Sequence, residues 1–266
     1  MKRRQLMGYA GAGLASALFA SLGTRLRVNA QSGGSLSIKW LGHTSFLFTG
    51  GGTKLLANPF TRKGCTAGYR SPKVSADLVI ISSQLLDEGS VEDLPGEPKL
   101  IYQAGVYKFN DIDFQGIAVP HDRIGGKRFG INTVWRWKQA GVDILHLGGA
   151  AAPISDEQKI LMANPDVLLI PVGGSAKAYN AEEAKKAIIE LQPKLIIPTH
   201  YRTQAADNDN CEIAALDKFL NLMGTVEVNR SNSDTIRVTP DSIPKIKVNP
   251  GNLPENCVIQ VFSYNF

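Results

Sequence analysis

The run Leu78-Val79-Ile80-Ile81, followed at once by Ser82-Ser83-Gln84-Leu85-Leu86-Asp87-Glu88, constrains this 266-residue chain more than any other stretch. Four consecutive apolar residues cannot alternate between core and water, so they predict a strand buried on both faces. Strands of that kind belong to layered α/β folds, whose sites gather in the loops at the carboxyl ends of the strands. The loop that follows carries two adjacent carboxylates, Asp87 and Glu88, which are the first candidate site residues.

The remaining pattern surrounds that strand with others. Leu36–Leu41, Ser45–Phe48 and Lys54–Ala57 predict three strands joined by tight turns, with Gly50-Gly51-Gly52 as one hairpin and Pro59 closing the third strand. Further strands are expected at Lys99–Tyr102, Gly105–Phe109, Ile112–Val119, Gly130–Trp137, Val142–Leu147, Val167–Ile170 and Leu195–Pro198. Helix signals begin late. Ser155 precedes Asp156-Glu157 as an N-cap, Asn180 opens a segment to Leu191 with Glu182 and Glu183 in its first turn, and a third helix is expected over Glu212–Leu222. Many strands first and strand–helix alternation later predict an α/β fold, an αββα four-layer sandwich. From about residue 225 the pattern reads as a C-terminal extension of short strands with Pro and Asn.

The first thirty residues read as an export signal of twin-arginine type. Lys2-Arg3-Arg4 precedes a weakly apolar run to Leu22, with Arg25 and Arg27 before Val28-Asn29-Ala30. An ordinary secretory signal or an uncleaved anchor is the competing reading. Residues 31–266 are then expected to form one exported domain, destined for a periplasm or a thylakoid-type lumen, with no stable membrane span once the signal is removed. The whole chain carries a formal charge of +5, but five basic and no acidic residues lie in the leader. The remainder balances 24 basic against 24 acidic residues. No basic cluster is left to hold a phosphate backbone, so nucleic acid is excluded as a partner. A small-molecule ligand or a protein partner is expected instead. Cys65, Cys211 and Cys257 allow one disulfide plus a free thiol, or three buried small hydrophobes, and lack the spacing of a metal cluster.

Several ordered motifs resemble those of the metallo-β-lactamase superfamily, in its ascorbate-lactonase-like branch of small metal-dependent hydrolases. Trp40-Leu41-Gly42-His43-Thr44-Ser45 is similar to its Gly-His-Ser-Ser opening, and Leu56-Ala57-Asn58-Pro59-Phe60 to its Ile-Asp-Pro-Phe turn. His121-Asp122, Gly130-Ile131-Asn132-Thr133, His146-Leu147-Gly148-Gly149 and Pro198-Thr199-His200 follow in the family's order. The resemblance spans residues 36 to 203. It implies a site for two divalent ions, and here this sequence departs from the family. Where the family has His-x-His-x-Asp-His, this chain reads Ser83-x-Leu85-x-Asp87-Glu88, and Gly149 stands where the family has the Asp that bridges the ions.

Carried over by position, the first ion would rest on residues 83, 85 and 121, of which only His121 keeps a strong ligand. Ser83, Leu85 and Gly149 are degenerate positions. The second would rest on Asp87, Glu88 and His200. The expected activity is therefore that of a pseudo-hydrolase or binding protein, with no metal. The alternative is a residual hydrolase of a lactone, ester or phosphoester, with one Zn, Mn or Fe ion at Asp87, Glu88 and His200 and catalytic roles for Asp87, His121 and His200. A further option is acid–base catalysis by His121 and His200 without metal. In the binding-protein reading Asp87 and Glu88 cap a short helix beginning at Gly89. The resemblance places His43, Asn58 and His146 at the pocket, although His146 also reads as a satisfied histidine within a strand.

Overall fold

A computed structural model describes residues 34–266, so the export signal read over residues 1–30 lies outside the described residues. Five strands come first: β1 (Leu36–Gly42), β2 (Ser45–Gly50), β3 (Thr53–Ala57), β4 (Leu78–Ile80) and β5 (Lys99–Ile101). Four more follow without an intervening helix, β6 (Gly105–Phe109), β7 (Ile112–Pro120), β8 (Ile131–Gln139) and β9 (Val142–His146). The chain then alternates through α1 (Asp156–Met162), β10 (Val167–Pro171), α2 (Ala181–Leu191), β11 (Leu195–Thr199) and α3 (Leu216–Met223). It ends with β12 (Glu227–Arg230), β13 (Thr235–Val238) and β14 (Val258–Val261).

These strands form two sheets. One has the order β13-β1-β2-β3-β4-β5 and the other β12-β14-β11-β10-β9-β8-β7-β6. The segment after residue 225 contributes to both: β13 edges the smaller sheet against β1, and β14 lies between β11 and β12 in the larger one. Residues of the two inner faces share one core, where Phe48 meets Trp137 edge to face with ring centroids 5.0 Å apart. Burying this shared aliphatic and aromatic core away from water is the main force holding the sheets together.

Among the described residues the three α-helices each follow a strand of the larger sheet. In α2 the buried positions Ala181, Ala184, Ala187, Ile188 and Leu191 recur at helical spacing and face the core. Ser155 caps α1 and Asn180 caps α2, each within a reciprocal capping box. The outer face of the smaller sheet is covered differently. Leu41, Leu56, Val79 and Ile81 form a second cluster beneath Val74, Val91 and Leu94, which belong to loops. This explains why Leu78–Ile81 is apolar throughout: Leu78 and Ile80 face the central core, Val79 and Ile81 the loop-covered one. No helix begins at Gly89. The chain from Ser83 to Gly89 is a compact turn in which Glu88 and Gly89 both donate to the Leu85 carbonyl, at 3.0 and 2.8 Å, so Asp87 and Glu88 cap no helix. Helix α3 starts at Leu216 rather than Glu212, the preceding residues being held as loop by Cys211 and by the Arg202–Ala214 backbone bond.

Candidate functional site

The site residues all lie where strands end. His43 follows β1, the 83–88 turn follows β4, His121 follows β7, Gly149 lies three residues beyond β9, and His200 follows β11. The strand ends are rigid because they belong to two sheets packed on a single core, so loops of quite different sequence are held at fixed separations. Both His43 (φ 52°) and His200 (φ 51°) adopt left-handed backbone, which ordinarily costs a non-glycine residue on the order of 1 kcal/mol. Each strand reverses sharply there and turns the imidazole inward, where both side chains are buried.

His43, Asp87 and His200 converge. One ligand atom from each lies within 4.8 Å of the others. The His43 and His200 rings are 4.4 Å apart, and His43 Nε2 is 3.7 Å from Asp87 Oδ2. Burial would push the Asp87 carboxyl up, but His43 and the Lys177 ammonium outweigh it and hold the group well below the usual carboxylate range. Lys177 Nζ lies 2.5 Å from both carboxylate oxygens. His200 is pushed down to about 3 by burial and by the neighbouring His43, so its imidazole is neutral at physiological pH. Among the described residues, neither nitrogen of His43 has a hydrogen-bond partner, nor does His200 Nδ1, although all are buried.

A second pair sits beside this trio. Glu88 and His121 are wholly buried, with His121 Nε2 3.5 Å from Glu88 Oε1 and Ser83 Oγ 3.5 Å from Glu88 Oε2. Burial opposes ionisation of Glu88, but His121 outweighs it and keeps the carboxyl below its ordinary value. Glu88 Oε1 and both His121 nitrogens also have no hydrogen-bond partner among the described residues. The 83–88 turn therefore reaches both His200, through Asp87, and His121, through Glu88. It does not present Asp87 and Glu88 to one ion. Adjacent residues in this turn point to different sides, so the trio expected at Asp87, Glu88 and His200 is replaced by His43, Asp87 and His200.

Asn58 and His146 are buried and tie the site loops together. Asn58 accepts from the Ser82 amide at 2.8 Å and donates to Ser82 Oγ at 3.1 Å, bracing the end of the buried strand. His146 Nδ1 accepts from the Gly148 amide at 3.0 Å, so its Nε2–H donates to the Thr44 carbonyl at 3.0 Å. Burial lowers this imidazole to about 4, and it serves as a neutral pin between two site loops. Asp122 shapes the loop after His121, because its carboxylate accepts from the amides of Ile124, Gly126, Arg128 and Phe129. Arg123 extends the same loop to Glu183 and to the carbonyls of Ser175 and Ala178, clamping the segment that carries Lys177. Neither Lys177 nor Arg123 stands in a motif, and no signal in the sequence marks them.

Two cavities flank the turn. One of about 450 Å³ is lined by Thr61, Lys63, Leu86, Asp87, Asp207 and Asn210 and touches the histidine–aspartate trio at Asp87. The other, of about 520 Å³, is lined by Ser83, Leu85, Tyr102, Phe129 and Ile131. The first is walled by two loops that the Cys65–Cys211 disulfide joins; Cys257 is free and buried. Among the described residues no helix is long and apolar enough to cross a membrane.

The fit of these residues to metal differs between the halves. The trio offers two imidazoles and a carboxylate, with buried nitrogens that nothing else satisfies, and this donor set suits one divalent transition ion. The other half offers His121 and Glu88, with Leu85 unable to coordinate. Two strong donors fall short of the three or four that zinc takes from protein, so this half does not fit.

Comparison with known proteins agrees on the family. A family model described as the beta-lactamase superfamily domain matches residues 37–200. A metal-dependent hydrolase of Carboxydothermus hydrogenoformans is 27% identical over 198 residues, covering 63% of this chain and 85% of that protein. One from Thermus thermophilus is 25% identical over 195 residues, covering 63% and 84%. Among solved structures, a Thermotoga maritima protein described as a zinc-dependent hydrolase of the metallo-β-lactamase superfamily superposes with TM-score 0.61 and 24% identity, over 86% of this chain and 100% of that one. An isothiocyanate hydrolase from gut bacteria of Delia radicum gives TM-score 0.55 at 11% identity, over 70% and 91%. These two superpositions speak for the fold.

Proposed function

The chain belongs to the β-lactamase superfamily, and on that premise we propose that it is an exported metal-dependent hydrolase which works with one ion, held by His43, Asp87 and His200. The observation that supports this reading is the set of unpartnered nitrogens on His43 and His200, buried beside an ionised Asp87. A buried polar atom left unpaired costs roughly 1–3 kcal/mol, and two such histidines with left-handed backbones are an expensive arrangement unless a ligand repays them. An ion bound there supplies polarisation of the substrate and activation of water at neutral pH.

The residues of the chain set the rest. His200 is already neutral and offers its lone pair without first losing a proton. Lys177, held by its Arg123-clamped loop, places a positive charge beside Asp87. The 450 Å³ cavity brings a small molecule as far as Asp87, and Lys63, Asp207 and Asn210 supply polar contacts along its lining. A lactone, ester or phosphoester is the substrate class this reading takes. The disulfide between Cys65 and Cys211 is in keeping with an oxidising compartment, which supports export.

Metal analysis of the folded protein tests the reading. One transition ion per chain is expected, and it is lost in His43→Ala and in Asp87→Ala together with hydrolysis across an ester, lactone and phosphoester panel. Protein that takes up no ion from Zn²⁺, Mn²⁺ or Fe²⁺ overturns it. A second reading, a binding protein without turnover, draws support from one contact: the Lys177 ammonium already neutralises both oxygens of Asp87. It requires melting that is insensitive to chelators and a His43→Ala variant that retains ligand binding.

A further inference from the structure

The half-site that does not fit a metal is not simply depleted; its interior is taken up by the protein's own carboxylate. A Cβ placed on Gly149 would overlap Glu88 Oε1 and His121 Nε2 and would lie 3.1 Å from Glu88 Cδ. The Glu88 carboxylate and the His121 ring thus occupy the space into which any side chain at 149 must grow. Gly149 has no positive φ, so backbone freedom does not explain the glycine there. Room for its neighbours does.

We propose that Glu88 is a built-in occupant of the first half-site and that Gly149 is its cradle. The two substitutions are then a single coupled change that commits the chain to one ion rather than two. The geometry supports this from both sides. Glu88 enters from the 83–88 turn, and its Oε2 faces Ser83 Oγ at 3.5 Å, a contact available because position 83 is small. Its other oxygen faces His121 at 3.5 Å, so the one strong ligand left in this half is engaged by an internal anion. The Gly149 amide is itself fixed, donating to Asn132 Oδ1 at 3.0 Å, so the backbone cannot withdraw to admit a side chain. A free carboxylate would swing aside from a methyl group. Glu88 and His121 are both fully buried and have no solvent to swing into. The occupancy of this half by Glu88 stands whether or not His43, Asp87 and His200 hold an ion, and only the count of one ion rests on the proposed hydrolase reading.

The test is a coupling measurement on chelator-treated protein, read by thermal melting. Gly149→Ala in the native background is expected to lower Tm by about 5 °C, the scale of an overpacked core site in a chain of this length. With Glu88→Ala also present, the vacated volume lets the His121 ring tilt away, and the same Gly149→Ala change should cost less than half as much. Equal cost in the two backgrounds overturns the proposal. If Gly149→Ala does not fold, recovery of folded protein by adding Glu88→Ala supports it, and failure to recover overturns it. A second arm counts zinc. The variant Ser83→His, Leu85→His, Glu88→His, Gly149→Asp should hold one more zinc per chain than native protein, and its counterpart that keeps Glu88 should not. An extra zinc in the counterpart, or none in the fourfold variant, overturns the proposal. Failure of native protein to bind any ion would remove the one-ion hydrolase reading and leave the stability coupling unaffected.

Discussion

Replacing Lys177 by Met removes the ammonium that pairs with Asp87 while keeping an unbranched side chain of similar length in the loop. Lys177 Nζ lies 2.5 Å from both carboxylate oxygens, with about a fifth of the lysine side chain and a quarter of the aspartate exposed. At an effective dielectric constant near 20, two unit charges about 4 Å apart attract by roughly 4 kcal/mol. Partial exposure and the entropy of holding the long lysine chain reduce the net figure to about 1–3 kcal/mol. An ion that takes Asp87 must overcome that pairing and then sit beside the displaced ammonium. Removing it should tighten metal binding by about tenfold to a hundredfold, since each factor of ten is about 1.4 kcal/mol. Competition against a fluorescent chelator at fixed pH and ionic strength, with Zn²⁺ and Mn²⁺ in turn, measures the shift. Lys177→Arg keeps the charge and should leave affinity near the native value. If Lys177→Met binds zinc no more tightly than native protein while remaining folded, the ammonium is not competing for Asp87 and the reasoning fails.

Four further outcomes follow from the same geometry. Because burial lowers His146 to about 4, the unfolded chain binds the additional proton between about pH 6.5 and 4. Stability should be full above that window and fall by roughly 3 kcal/mol across it, with His200 adding to the slope; in His146→Gln the slope in chemical denaturation should shrink, and an unchanged slope would refute this role. Reducing the Cys65–Cys211 bridge, which closes a separation of 146 residues, should cost up to about 5 kcal/mol in denaturant unfolding, and no loss would mean that the bridge constrains little in the unfolded chain. Arg123→Ala should lower stability by about 1–2 kcal/mol and speed amide exchange over 173–178, where native-like exchange would show that the clamp is idle. Burial opposes ionisation of the Asp122 carboxyl, but four backbone amides outweigh it and hold the group down to about 2. Its contribution should persist above about pH 4 and vanish as pH falls through 2, and Asp122→Ala should loosen the 123–130 loop in amide exchange at neutral pH.

Much of the fold was legible because its signals are local. The apolar run at 78–81, the triple glycine after Thr49 and the caps at Ser155 and Asn180 each mark an element boundary that the structure places within a residue or two. The family was legible from motifs such as Gly42-His43-Thr44-Ser45 and Pro198-Thr199-His200, and the family model covers the same stretch. The C-terminal strands were less so: β13 and β14 take partners in different sheets, a long-range choice that their short mixed sequences do not declare. The absence of a helix at Gly89 has a similar cause, since the turn closes on Leu85 and is held by loops distant in sequence.

By itself the sequence determined the scaffold and which residue types stand at the strand ends, because hydrophobic period, turn residues and ordered motifs are properties of short segments. It also determined that position 85 cannot coordinate and that position 149 offers no side chain. Only the tertiary structure decided which donors meet. Asp87 and Glu88 are neighbours in the chain, yet the turn sends one toward His43, His200 and Lys177 and the other toward His121 and the space above Gly149. Those directions are set by packing between loops up to 113 residues apart in sequence, and a one-dimensional pattern carries no record of them.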